Sequence, residues 1–256
     1  MDEFQSALGV VIDRLEEIRD GGGRWPRASR EVLALLQQVP SRVSAPVRSK
    51  TEQLEELRTL VRACDLCPHL AQSRTQTVFG VGNPDADLMF IGEAPGADED
   101  RQGEPFVGRA GQLLTKIIET MGFRRDEVYI ANILKSRPDM PAGAPGNRPP
   151  TAEEMKNCLP FLIEQIKIVQ PKVMVALGAT AVEGLLGFRG TMSKLRGNWH
   201  LFQDTPLMIT FHPSYLLRNQ APAEKRKVWE DMLLVLEKLG RPITPKQRNY
   251  FLPASA

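Results

Sequence analysis

Phe106, Asn132 and His212 carry side chains whose chemistry is complementary, although they lie far apart in the chain. An aromatic face stacks on a planar ring. A side-chain amide offers one donor and one acceptor side by side, the pattern that matches the edge of a nucleobase. A histidine just past a strand can donate a hydrogen bond to an oxygen that gains charge during reaction. Singly, each has an ordinary explanation: a core phenylalanine, a turn-forming asparagine, a satisfied structural histidine. Jointly they describe a pocket for a base swung out of its stack. No serine or cysteine nucleophile stands beside a base, and no phosphate-cradling GxxxxGKS run occurs.

Such a set works only if the elements carrying it end at one place. Short apolar runs at 88–91, 128–134, 173–177 and 207–211 read as buried strands, and helical spacing recurs at 111–121, 152–169, 179–186 and 223–239. This alternation predicts an α/β fold of three layers, α/β/α, around a central, mostly parallel four-stranded sheet. Parallel strands bring their carboxyl ends to one rim, where open α/β sheets bind ligands. The first run leads into residues 92–114, GEAPGADEDRQGEPFVGRAGQLL, a connection far longer than usual. Its glycines (Gly92, Gly96, Gly103, Gly108) allow close approach or positive φ. Phe106 in its middle is either a lid on a core or a stacking platform. The second run contains Asn132 and continues into Lys135-Ser136-Arg137; the third ends in Gly178-Ala179-Thr180 and the fourth in His212-Pro213-Ser214-Tyr215. Thr151 and Glu154 form a capping box for the helix over 152–169.

Residues 1–50 read as a helical extension and linker: helical spacing over 3–19, a stop at Gly21-Gly22-Gly23, a short helix capped by Ser29, and a linker over 40–50. Residues 51–240 form the main domain, opening with a helix near Thr51, and 241–256 a C-terminal tail. With 256 residues, 42% hydrophobic and 25% charged, the chain has the composition of a soluble globular protein. No apolar run is long enough to span a membrane, and the acidic amino terminus is not a secretory signal. A net charge of +2 does not by itself argue for a polyanionic partner, and three cysteines point to a reducing cytoplasm.

Across roughly residues 57–239 the sequence resembles the uracil-DNA glycosylase superfamily, and within it the family-four, iron–sulfur-containing enzymes. The resemblance rests on Cys64-Asp65-Leu66-Cys67, Phe79-Gly80-Val81-Gly82-Asn83-Pro84, the glycine-rich loop, Tyr129-Ile130-Ala131-Asn132, Lys194-Leu195-Arg196-Gly197, and HPSYLLR from His212 to Arg218. It implies a monomeric enzyme that acts on uracil-containing DNA and breaks the glycosidic bond dissociatively, through an oxocarbenium-like sugar and a departing uracil anion. By motif, Phe106 would stack on uracil, Asn132 read its Watson–Crick edge, and His212 sit by its O2, with Gly92, Ala94 and Gly96 lining the substrate side. Glu93 and Glu99 would orient water or stabilise the sugar cation. Ala94 stands where related families keep an aspartate base. Leu216, Leu217 and Arg218 would form the wedge that enters DNA, joined at the nucleic acid by Ser214, Lys194 and Arg196. The alternative is a DNA-binding relative with weak activity, or one that excises other deaminated bases. A covalent trap would need a histidine after the Asn132 strand, and residues 135–150 contain none.

Cys64, Cys67 and Cys158 match three ligands of the family's [4Fe–4S] cluster. The family's fourth cysteine is here Ser136, a poorer ligand for iron, which leaves open a cluster with serine or another fourth ligand, a labile cluster, or none. Zinc is the competing reading of the Cys-x-x-Cys pair.

Overall fold

In strand β2 (Leu88–Gly92), Leu88 and Phe90 enter one apolar core while Met89 and Ile91 enter another. A strand alternates its side chains with period two, so a sheet with both faces covered needs apolar residues at every position. That is the composition of β2, of β4 (Val173–Leu177) and of β3 (Tyr129–Asn132), whose last residue is the polar exception. The computed structural model describes residues 16–21, 48–140 and 146–252. The chain divides into two units, Met1–Val47 and Arg48–Ala256, and the second carries this sheet. Within the first, residues 16–20 are helical. The remainder of the expected first helix, the Ser29-capped helix and residues 40–47 of the linker lie outside the described residues.

One core lies under α1 (Lys50–Ala63), α5 (Ala152–Val169) and α6 (Ala179–Leu186), the other under α4 (Arg109–Met121) and α9 (Pro222–Lys238). The layers are α/β/α. Two capping boxes fix where helices begin. Ser49 and Glu52 form a capping box at α1, and Thr151 and Glu154 form the predicted one at α5.

The sheet has six strands rather than four, in the order β1-β3-β2-β4-β6-β5. The four expected strands, with β6 at Thr205–Thr210, are mutually parallel. Two antiparallel edges flank them: β1 (Val81–Gly82) on β3 and β5 (Trp199–Phe202) on β6. β1 is too short to register as a hydrophobic period. β5 and β6 are joined by Gln203 and Asp204, both at positive φ (47° and 66°), the backbone of a tight hairpin without its usual Asn-Gly signal. The expected tail also differs. Residues 245–249 form α10 (Pro245–Asn249), the Gln247 carbonyl accepts from Trp229 Nε1 at 2.5 Å, and Gln247 Nε2 donates to the Thr120 carbonyl at 2.9 Å. This segment is docked on α4 and α9. Among the described residues no helix is long and apolar enough to cross a membrane.

Strand order reverses at β2: the chain moves from β2 to β3 on one side, then back across to β4 on the other. That reversal opens a crevice at the carboxyl ends of the strands. The long connection after β2 descends into it, and it is not structureless. It contains α3 (Ala97–Gln102) and crosses the start of α4, where a methyl group on Gly111 would lie 1.8 Å from the Phe106 carbonyl oxygen. Gly111→Ala therefore cannot be absorbed by side-chain movement. The expected outcome is a loss of about 2 kcal/mol or more, or about 4–8 °C or more in Tm at this chain length. A variant that melts with the parent protein in calorimetry contradicts this packing.

Candidate active site

Gly92 ends β2 and pairs in register with Asn132, the last residue of β3. A Cβ on Gly92 would lie 2.4 Å from Asn132 Oδ1 and 2.5 Å from Phe106 Cζ, so the amide and the ring both press on this one backbone position. Only glycine fits there. Phe106 is buried, closes the edge of the α4/α9 core, and lies 5.6 Å from the His212 ring at an interplanar angle of 31°. The three residues separated in sequence thus meet at the crevice.

Phe106 holds a left-handed backbone, φ 55°, which costs a bulky residue about 1–3 kcal/mol. The surroundings over-determine it. Glu99 Oε1 accepts the N–H groups of Val107 and Gly108, each at 3.0 Å, and its Oε2 accepts that of Gly96 at 3.1 Å. Arg125, from the turn before β3, donates to the Pro105 carbonyl at 2.6 Å and to Thr115 Oγ1 at 3.0 Å. Both oxygens of Glu99 are engaged with backbone N–H groups, so this residue clamps the loop. Glu93 differs. Burial raises its pKa, and the Thr180 hydroxyl, in the first turn of α6, opposes that rise through a hydrogen bond. Glu93 itself directly follows Gly92, at the end of the strand where the order of the sheet reverses. Ala94 follows it, partly buried against the α5-side core. A Cβ on Gly96 would meet Glu99 Oε2 at 2.7 Å.

Asn132 is buried at 2% exposure, and among the described residues neither its Oδ1 nor its Nδ2 has a hydrogen-bond partner. Buried amides are nearly always paired, and leaving one atom unpaired costs about 1–3 kcal/mol. The backbone beneath it is firmly held: Lys135 Nζ donates to the Asn132 carbonyl at 2.9 Å and to Gln165 Oε1 at 2.5 Å. Burial pushes the Lys135 pKa down to about 7. The amide thus stands on an anchored backbone with one donor and one acceptor group unspent.

His212 is the residue before α8 (Pro213–Arg218), and its Nδ1 accepts the Ser214 N–H at 3.1 Å and lies 2.8 Å from Ser214 Oγ. Nδ1 is thereby fixed as the acceptor, so the proton of the neutral ring sits on Nε2. Burial, assisted by the charge of Arg218, lowers the pKa to about 4, and the ring is neutral in ordinary buffers.

The residues expected at DNA divide. Lys194 and Arg218 are exposed and Leu217 is partly exposed. Leu216 is buried at 5% and anchors α8 instead of projecting from it. Arg196 is not free for DNA: its guanidinium grips Asp231, Nη2 to Oδ1 at 2.6 Å and Nε to Oδ2 at 3.0 Å, and also bonds the Lys227 carbonyl. Ser214 is engaged with His212. Arg125, Thr180, Gly111 and Lys135 emerge only from the fold, since no residue pattern announced their contacts.

Cys64 ends α1, Cys67 precedes α2 (Pro68–Ser73), and Cys158 lies buried in α5. The three are close enough that the first two raise the pKa of Cys158, which burial has already raised. Asn157 Nδ2 lies 3.4 Å from the Cys67 sulfur. Ser136 is buried, and its hydroxyl accepts from Arg74 Nη1 at 3.0 Å; Arg74 also donates to the Cys64 carbonyl at 2.9 Å.

The family model described as Uracil DNA glycosylase superfamily matches residues 79–233. The Type-4 uracil-DNA glycosylase of Thermotoga maritima is 45% identical over 188 residues, 72% of this chain and 93% of the relative. That of Sulfurisphaera tokodaii is 38% identical over 212 residues, 78% of this chain and 91% of its own. The Type-4 uracil-DNA glycosylase of Archaeoglobus fulgidus is 35% identical over 192 residues, covering 70% and 93%. The family match spans the sheet, the Gly92 crevice and the His212 segment alike, and the chain belongs to the uracil-DNA glycosylase superfamily.

Proposed function

We propose that this protein removes uracil from DNA, hydrolysing the N-glycosidic bond of an extruded deoxyuridine and leaving an abasic site. The observation that carries the reading is the Asn132 amide, buried with both polar atoms unpaired. Uracil presents an N3–H donor beside the O4 acceptor, and an amide satisfies both at once. The base stacks on Phe106, whose loop position is held by Glu99 and Arg125.

Bond cleavage leaves negative charge on the uracil ring and positive charge on the sugar. His212 Nε2–H donates to the uracil O2 as that charge builds. A neutral donor suffices, because its hydrogen bond strengthens as the acceptor becomes anionic, and it loses no proton. Glu93 lies at the reversal point of the sheet, where a carboxyl group steadies the oxocarbenium ion and orients the attacking water. Leu217 and Arg218 fill and brace the gap that the base leaves in the DNA.

The three cysteines supply three of the four thiolates that a [4Fe–4S] cluster takes. The donor set is incomplete: Ser136, at the fourth position, spends its hydroxyl on Arg74. A bound cluster would staple the end of α1, the start of α2 and α5 together, a structural contribution, and no step of the reaction runs through it. Iron and sulfide content of anaerobically purified protein tests this. Ser136→Cys is expected to retain more of both than the parent, and equal retention contradicts the view of Ser136 as the weak position.

Asn132→Ala is expected to lower kcat/KM on a uracil-containing oligonucleotide by about 100- to 1,000-fold, and Phe106→Leu by about 10-fold or more through lost stacking. Circular dichroism checks that both remain folded; parental rates in both sink the assignment. The acid limb of the rate profile reports His212. Its folded pKa of about 4 lies below the ordinary 6.5, so the functional neutral ring persists down to about pH 4. The same shift withdraws stability as pH falls from 6.5 toward 4, where the unfolded chain binds a proton that the folded one refuses. Activity should hold from pH 8 to about 5.5 in protein that remains folded, and a fall centred at pH 6.5 would contradict a neutral donor.

A further inference from the structure

A second concavity, of about 530 Å³, lies between the C-terminal half of α1 and the segment leading to β1, and is lined by Arg58, Arg62, Arg74, Thr75, Gln76, Thr77, Gly103 and Glu104 among others. Three guanidinium groups face one carboxylate. Each arginine is held differently. Arg58 lies flat over the buried Phe79 ring, 4.8 Å from its centroid, in an ion pair with Glu55 at 3.0 Å. Arg74 is fixed by its bonds to Ser136, the Arg62 carbonyl and the Cys64 carbonyl. Arg62 is exposed, and its side chain makes no hydrogen bond or ion pair among the described residues. Two anchored cations and one free one around hydroxyl and amide donors match the oxygens of a phosphodiester, which planar guanidinium groups fork.

The cleft is coupled to the Gly92 crevice. Its floor is stitched to α3: the Thr75 N–H donates to both Asp100 oxygens at 3.0 and 3.1 Å, and Gln76 Nε2 donates to the Arg101 carbonyl at 2.8 Å. α3 carries Glu99, which clamps the Phe106 loop, and Glu104 lines the cleft two residues before Phe106. Glu104 itself leans electrostatically on Arg125, which tempers its repulsion of an anion.

We infer that this arginine cleft binds a backbone phosphate of the DNA strand beside the extruded nucleotide, so that part of the binding energy is delivered to α3 and hence to the loop that presents Phe106. The identity of the ligand rests on the glycosylase reading. None of the three arginines belongs to the motifs that carried the resemblance. Arg62 offers the cleanest variant, since its side chain supports nothing else.

The test is binding of a uracil-free single-stranded oligonucleotide across a salt series, with single-turnover excision on its uracil-containing counterpart. For Arg62→Ala the plot of log affinity against log salt should become shallower by about 0.7, the value of one phosphate contact to a single strand. Low-salt affinity should fall several-fold, further in Arg62→Glu, and Arg62→Lys should retain most of it. In the excision assay half-saturation should move to higher protein concentration, and the rate at saturating protein should fall as well, because part of the phosphate's binding energy is realised in the Phe106 loop. Parental slope and affinity in both Arg62→Ala and Arg62→Glu overturn the assignment. If the parent protein releases no uracil while the salt slope still responds to Arg62, the cleft stands as a phosphate site and the glycosylase reading falls.

Discussion

The site depends on a close approach: at Gly92 the last residue of β2 is pressed from one side by an amide and from another by an aromatic ring, with no room for even a methyl group. That contact sets the spacing between the surface a base would lie on and the group that would read its edge. It is fixed by the sheet itself, because Gly92 and Asn132 are register partners in neighbouring parallel strands. Pairing continues just beyond the strand ends, with the Ile133 and Leu134 N–H groups donating to the Gly92 and Glu93 carbonyls at 3.0 and 3.1 Å. The amide thus stands on rigid structure, and the ring is brought to it by a loop.

Holding such an arrangement empty is costly. The unpaired amide forgoes about 1–3 kcal/mol for each orphaned atom, and the left-handed Phe106 adds strain of similar size. Both are sustained by neighbouring groups: Lys135 and Gln165 under Asn132, Glu99 and Arg125 around the Phe106 loop. This division explains why carboxylates of the same loop have different duties. Glu99 has its oxygens committed to three backbone N–H groups, whereas Glu93 sits in a drier place with a hydroxyl partner.

Much of this was legible in the sequence for a physical reason. Buried parallel strands must be continuously apolar, so β2, β3, β4 and β6 announced themselves, and the residues at their ends had to share a rim. Asn132 and His212 were found that way. What escaped was whatever depends on contacts between distant segments. Arg196 reads as a DNA-facing cation until Asp231, on another helix, claims it. Leu216 reads as a wedge in a motif but turns inward. The edge strands were missed because β1 has two residues and the β5–β6 turn uses Gln203 and Asp204 in a backbone that glycine or asparagine usually takes. Ser136 was the reverse case: the departure was visible at once, and only the fold supplied its partner, Arg74.

The central claim is that the unpaired Asn132 amide exists to hold uracil while its glycosidic bond breaks. The most direct measurement identifies by mass the free base released from single-stranded oligonucleotides that carry uracil or cytosine at the same position. Release of uracil, with none from the cytosine strand, is the predicted result. An intact uracil strand after prolonged incubation with folded, DNA-bound protein would contradict the account.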